Sequence, residues 1–270
     1  MDQASLYANA NALQRRDAEA TLRTFIPRMN WHDERETILD VGCGSGDVTR
    51  NLLLPLLPSW VSRVVAVDVS PRMVDFAAKN FAHNIIDFRH LDIEKEENPR
   101  QKFPEGFSKI FSLYCLHWVR DQPSCLENLF TLLRPSGEAL LVFLAANPLF
   151  DVYETLSMDP KWQPYMKDVS NFVPVHQHQK DPAALFARAA EDAGFEVLTC
   201  QAPEMKFVFD NINYLKNAVK AVNPFISRMP VEEQEEFLAA VMQLLSEGNN
   251  NKQETVARYS LMVAHLQRPE

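Results

Sequence analysis

Between residues 36 and 146 the chain alternates short apolar runs with amphipathic stretches, and run length separates strands from helices. Thr37–Val41 (TILDV) and Arg63–Val69 (RVVAVDV) are compact runs bounded by charges or glycines, as buried parallel strands are. Asp87–Ile93, Phe107–Leu116 and Gly137–Phe143 read as three further strands. Helices are expected over Asp47–Leu54, stopped by Pro55, and over Asp121–Leu133. Another begins after Ser70, a natural N-cap, with Pro71 at its first position and Met73, Val74 and Ala77 as its apolar face. Upstream, Ala4–Met29 reads as one or two helices carrying Leu6, Leu13, Leu22 and Phe25. After residue 147 the rhythm breaks. Prolines 148, 160, 164, 174 and 182 fall among many aromatics, which predicts an irregular, mostly helical insertion. Ala183–Ala193 is then a helix stopped by Gly194, and Phe195–Phe209 holds a strand. Helices near Ile212–Val222 and Val231–Glu247 precede a last strand, Ala257–Leu266.

Strand–helix alternation with short connections is the signature of an open α/β sheet with helices on both faces. The 270 residues fit one large domain, 1–270, with a core at about 36–146 and helical cap insertions at about 147–193 and 210–250. Net charge −9 argues against a nucleic-acid partner, which needs a basic face, and against an anionic membrane surface. The cysteines at 43, 115, 125 and 200 show no C-x-x-C spacing and read as reduced thiols. The first twenty residues lack an apolar signal core, and the longest apolar run, Ala139–Ala146, suits a buried strand. A cytoplasmic protein without membrane insertion is expected.

Glycine changes the picture most. The chain has only 7, roughly a third of average usage, yet Gly42, Gly44 and Gly46 fall within five residues. They follow the first strand and open a helix, where glycine permits a sharp turn and close approach of a ligand. The dinucleotide fingerprint does not fit, because Asp47 stands where its third glycine belongs. Asp40-Val-Gly42-Cys43-Gly44-Ser-Gly46 has instead the form that binds S-adenosylmethionine (SAM), which carries no pyrophosphate. Asp40 suits a ligand with an ammonium group and a sulfonium. Asp68, with Val69 at the second strand's end, can accept ribose hydroxyls, and Asp92, with Ile93 near the third strand's end, an adenine amino proton. Singly, each is equally a turn or strand-end residue; together they make a SAM site.

With these residues in hand, the chain resembles class I SAM-dependent methyltransferases and, more narrowly, the juvenile hormone acid O-methyltransferases of insects. The narrower likeness rests on Leu6-Tyr7 with Leu13-Gln14-Arg15-Arg16-Asp17, and on Phe111 to Gln122 (FSLYCLHWVRDQ). Phe150 to Leu156 (FDVYETL), Trp162 and Asn223-Pro224-Phe225 extend it over nearly the whole chain. The resemblance implies a Rossmann-like, seven-stranded, mostly parallel sheet with a helical substrate cap. It also implies methyl transfer to the carboxylate of farnesoic acid or juvenile hormone acid, with S-adenosylhomocysteine (SAH) and a methyl ester as products.

A carboxylic acid is already ionised at pH 7, so no general base is required. The protein must hold one oxygen in line and strip it of water. Neutral donors suit this, and in the resembling family the glutamine and tryptophan matching Gln14 and Trp118 hold the carboxylate. His117 is a further donor or orienter rather than a base, and Tyr114 is a further substrate-binding candidate. Phe150, Tyr153 and Phe225 are the leading candidates for the apolar wall, from a larger set that includes Leu156, Trp162, Tyr165, Met166, Phe172, Phe207, Tyr214 and Ile226. His176-x-His178 with Asp181 looks like a metal site but lacks further ligands, so no metal is expected; the chain is expected as a monomer or homodimer. Two other readings stay open: methylation of another small acid or amine such as a tricarboxylate, and SAM binding without turnover.

Overall fold

The computed structural model of the chain describes residues 4–31, 36–247 and 255–270. Helices α1 (Ala4–Ala10) and α2 (Ala12–Phe25) precede strand β1 (Glu36–Val41). A helical turn over Thr49–Leu53 runs into α3 (Leu54–Leu56), followed by β2 (Val61–Asp68), α4 (Pro71–Asn80) and β3 (Ile86–His90). Next come α5 (Pro99–Lys102), β4 (Phe107–Leu113), α6 (Gln122–Leu132) and β5 (Leu133–Ala146). The remainder holds α7 (Pro148–Ser157), α8 (Pro182–Asp192), β6 (Glu196–Gln201) and β7 (Glu204–Val208). Helices α9 (Ile212–Val222) and α10 (Val231–Glu247) and strand β8 (Val256–Gln267) complete it.

All strands join one mixed sheet in the order β3-β2-β1-β4-β5-β8-β6, with β7 also on β8. The first five are mutually parallel, and β8 runs antiparallel to β5, β6 and β7. Side chains alternate between the faces, as a period of two requires. Ile38, Phe111, Leu140 and Val142 pack with α2, α7 and α10 on one face. Leu39, Ile110, Leu141 and Phe143 pack with α6 and α8 on the other.

Local capping explains where several helices start. Ser70, Asp121, Asn147 and Asp181 each accept a backbone N–H with their side chains, and a proline occupies the first turn that follows. Two expectations need correction. Among the described residues the seven strands become eight, because the single strand expected over Phe195–Phe209 breaks at Ala202-Pro203. Pro203 has no N–H for a ladder, so β6 pairs with Val263–Gln267 and β7 with Val256–Ser260 of the same partner. The α-helix expected over Asp47–Leu54 is instead wound as a π-turn at Thr49–Leu53 and runs past Pro55. Pro55 gives no N–H to the carbonyl four residues back, and the wider turn absorbs the gap.

Candidate active site

The glycine loop leaves the end of β1, and the Gly42 and Cys43 N–H groups donate to the Val67 carbonyl at 2.8 and 3.0 Å. All three glycines take positive φ: 77° at Gly42, 53° at Gly44 and 81° at Gly46. A Cβ at Gly42 would lie 2.3 Å from the Cys115 side chain, and one at Gly46 would lie 2.7 Å from Ala77 Cβ. These two glycines are therefore required by packing of the loop on the turn after β4 and on α4. Gly44 differs: a Cβ there would meet nothing closer than Tyr7 Cε1 at 3.7 Å. It is the glycine that faces the site.

Asp68 closes the loop from β2. Its Oδ2 accepts the Gly44 N–H and its Oδ1 the Ser70 N–H, both at 2.9 Å. Each oxygen retains a lone pair for a ligand hydroxyl. Burial holds the Asp68 carboxyl above the usual carboxylate range, and the two backbone donors offset only part of that rise. Asp40 lies beneath the loop, almost fully buried, where its Oδ2 accepts the Thr49 hydroxyl at 2.6 Å and burial pushes its pKa up to about 6. Cys43 is buried and its thiol held well above the usual range by desolvation. Val69 stands exposed at the lip. Strand β3 ends at His90, so Asp92 and Ile93 sit in the turn beyond it. Asp92 Oδ1 there accepts the Glu94 N–H at 3.1 Å, while Ile93 is buried. The open face at Gly44 and the carboxylate of Asp68 beside it fit SAM.

On the acceptor side, β4 ends because Tyr114 takes a left-handed conformation with φ 61°. The Tyr114 hydroxyl donates to Asp17 Oδ2 at 2.6 Å, and the Tyr259 hydroxyl donates to the same oxygen. Arg16 covers the other Asp17 oxygen with two guanidinium N–H groups, at 2.9 and 2.7 Å. At the start of α2, Asp47 of the glycine loop accepts from Arg15 at 2.6 Å, from the N-cap residue Asn11 at 3.1 Å and from Ser45 at 2.7 Å. Helix α2 is thus clamped to both the cofactor loop and the turn after β4. Gln14 stands between the two clamps.

The turn after β4 carries Cys115 against Gly42, then His117 and Trp118. The His117 and Trp118 rings are 4.8 Å apart, and Trp118 meets Phe150 edge-to-face at 5.9 Å. His117 is buried, its Nδ1 has no partner, and desolvation drives its pKa down to about 3. The imidazole is neutral at pH 7. Gln14 Oε1 is likewise buried without a partner. Both residues line a cavity of ≈ 210 Å³.

Gln14, Tyr114, His117, Trp118 and Phe150 all line this cavity. Tyr153 and Phe225 do not. They sit one layer back, Tyr153 stacked edge-to-face between Phe150 at 6.1 Å and Phe225 at 5.3 Å, with Asn223 Nδ2 donating to the Tyr153 hydroxyl. Leu156, Trp162, Met166 and Ile226 are likewise core, and Tyr214 is exposed. The opposite wall is aliphatic: Leu215, Ala218, Val219 and Val222 of α9, and Leu244 and Leu245 of α10. The α9 residues follow i, i+3, i+4, i+7 spacing, a signal present in the sequence but outweighed there by the aromatics. Tyr7 and Asp17 were also missed as site residues.

His176, His178 and Asp181 do not converge. His176 is buried with its Nε2 on Gln122 Oε1 at 2.8 Å, His178 is on the surface against Glu154, and Asp181 caps α8. Burial lowers the His176 pKa to about 4. Like His117, it binds a proton more weakly folded than unfolded, where the pKa is near 6.5. Their stabilisation is therefore whole above about pH 6.5 and lost as pH falls toward 4 and 3. Between pH 7.5 and 5 the unfolding free energy in urea should fall by about 1–2 kcal/mol less in His176→Gln than in the wild-type chain. An equal fall in both would contradict the burial of a neutral imidazole.

A sheet of this topology with a glycine loop after β1 and an acidic residue after β2 defines a class I methyltransferase. Residues 13–200 match the methyltransferase domain family, and the chain belongs to it. It also belongs to the juvenile hormone acid O-methyltransferases. It is 37% identical to the Drosophila melanogaster enzyme of that name over 99% of this chain and 93% of that one. For the Bombyx mori enzyme the figures are 36%, 95% and 93%. Among solved structures, phosphoethanolamine N-methyltransferase 2 of Haemonchus contortus, in complex with SAM, shares the fold with a TM-score of 0.53. That match covers 94% of this chain and 53% of the other at 14% identity. The protein is a SAM-dependent O-methyltransferase. Among the described residues no helix is long and apolar enough to cross a membrane.

Proposed function

We propose that the protein methylates the carboxylate of a farnesoic or juvenile hormone-type acid, giving the methyl ester and SAH. The observation that carries this reading is the cavity: neutral polar groups from Gln14, His117 and Trp118 beside a wall of leucine, valine and phenylalanine. When bound, SAM supplies the methyl carbon to which a carboxylate oxygen bonds as the C–S electron pair returns to sulfur. The acid arrives ionised, so His117, neutral because it is buried, has no proton to remove. The Trp118 indole N–H and the Gln14 amide N–H hold one carboxylate oxygen while leaving the attacking oxygen free. A guanidinium in their place would stabilise the nucleophile's charge and raise the barrier. Phe150 and the α9 stripe exclude water from the reacting oxygen and bury the terpenoid tail. Burial of about 300–400 Å² gains roughly 8–10 kcal/mol gross, part of which is lost to ordering.

Two arguments favour an apolar acid over a tricarboxylate: the names of the two insect relatives and the aliphatic wall, whose one charged lining residue among the described residues is Arg258. Competition among farnesoic acid, its 10,11-epoxide, a saturated fatty acid and aconitate for methyl-labelled SAM tests this directly. Label should enter the two farnesyl esters at least about tenfold faster than the fatty ester, and aconitate not at all. Preferential labelling of aconitate would keep the methyltransferase and overturn the terpenoid assignment.

A further inference from the structure

Tyr7 lies where the two halves of the site meet. Its Cε1 is 3.7 Å from the position a Cβ would take on Gly44, the one loop glycine that opens on the site. The same side chain lines the acceptor cavity alongside Gln14 and His117. A methyl group passing from a cofactor on the glycine loop to an acceptor at Gln14 and Trp118 would cross this junction, which would place the sulfur that carries it beside Tyr7. The surroundings are negative: Asp47 and Asp68 act on the phenol, and together with burial they hold its pKa well above 10. The ring is therefore a neutral phenol at physiological pH, unable to serve as a base. What it offers a neighbour is a π-face, which attracts cations.

We propose that Tyr7 recognises the sulfonium charge of SAM through its aromatic face and so discriminates SAM from SAH. SAM carries a positive sulfur; after transfer SAH carries a neutral thioether of nearly the same shape. A contact that depends on charge strengthens the binding of the reactant and is absent from the product, which favours release of SAH after each turnover. Apolar packing or steric cover by α1 would treat the two ligands alike. The inference rests on the assignment of the glycine loop to SAM and is independent of which acid accepts the methyl group.

The test is calorimetric titration of the full-length protein with SAM and with SAH, without acceptor. In Tyr7→Leu the ratio of the SAH to the SAM dissociation constant should fall roughly five- to tenfold, through weaker SAM binding at nearly unchanged SAH binding. Tyr7→Phe, which keeps the ring, should hold the ratio within about twofold of wild type. Retained SAH binding is the internal check that the loop is folded. If Tyr7→Leu loses both ligands, Tyr7→Trp decides: the larger π-face should match or exceed the Tyr7→Phe ratio. Equal weakening of SAM and SAH in Tyr7→Leu, or a Tyr7→Trp ratio below that of Tyr7→Phe, overturns the proposal. A wrong acceptor would show itself only in transfer assays and leave these ratios unchanged.

Discussion

Trp118→Phe is expected to lower kcat at least about tenfold while SAM affinity stays within about twofold. The substitution keeps an aromatic ring against Phe150 and beside His117, so the cavity wall survives. It removes the indole N–H. A hydrogen bond to a charged group is worth roughly 1.5–3 kcal/mol, or about ten- to a hundredfold in rate if realised where the carboxylate must be aimed. Trp118 lies on the cavity side of the turn, whereas Cys115 of the same turn faces the glycine loop. Steady-state kinetics with saturating SAM, together with a SAM titration, separate the two effects. Weakened SAM binding with unchanged turnover would place Trp118 on the cofactor side and contradict the proposed role.

The second large effect belongs to Asp68. Asp68→Ala should weaken SAM at least about thirtyfold, with kcat at saturating SAM within about threefold of wild type. The change removes both acceptors for the ribose hydroxyls, at roughly 1.5–3 kcal/mol for a charged hydrogen bond. It also leaves the Gly44 and Ser70 N–H groups without the partners that fix the loop. Asp68→Asn separates these contributions, since its amide oxygen can still accept one of the two N–H groups and should recover part of the affinity. Unaltered affinity in Asp68→Ala would count against the carboxylate's placement on the ribose.

Much of the scaffold is readable in the sequence because it is set by local chemistry. The bounds expected for α9 and α10 coincide with the observed ones, and Asn211 caps the first of them as its side chain allows. The glycine loop and Asp68 are likewise legible, since the fold demands them at consecutive strand ends. What escapes is long-range. Asp17, Tyr114 and Tyr259 meet although 97 and 242 residues separate the carboxylate from the two tyrosines. Nothing in the pattern around any of them announces the others. The cavity wall was misjudged for a related reason: aromatic side chains such as Tyr153 and Phe225 draw attention, yet their size is used to fill the core. The smaller side chains of α9 leave the space that a ligand can enter. Pro203 was visible, but its consequence depends on β8 offering ladder positions on either side of it.

The central claim is that a carboxylate is methylated by positioning alone in an apolar cavity. Methyl-labelled SAM offered with farnesoic acid or with farnesol, alike but for the reacting end, tests it most directly. Label should appear in base-labile methyl farnesoate and not in the farnesol ether, with a rate constant flat from about pH 6.5 to 9 because the ionised acid needs no base and the buried His117 stays neutral. Transfer to farnesol at a comparable rate, or a rate that rises tenfold per pH unit with the acid, would mean that a side chain removes a proton and would contradict the account.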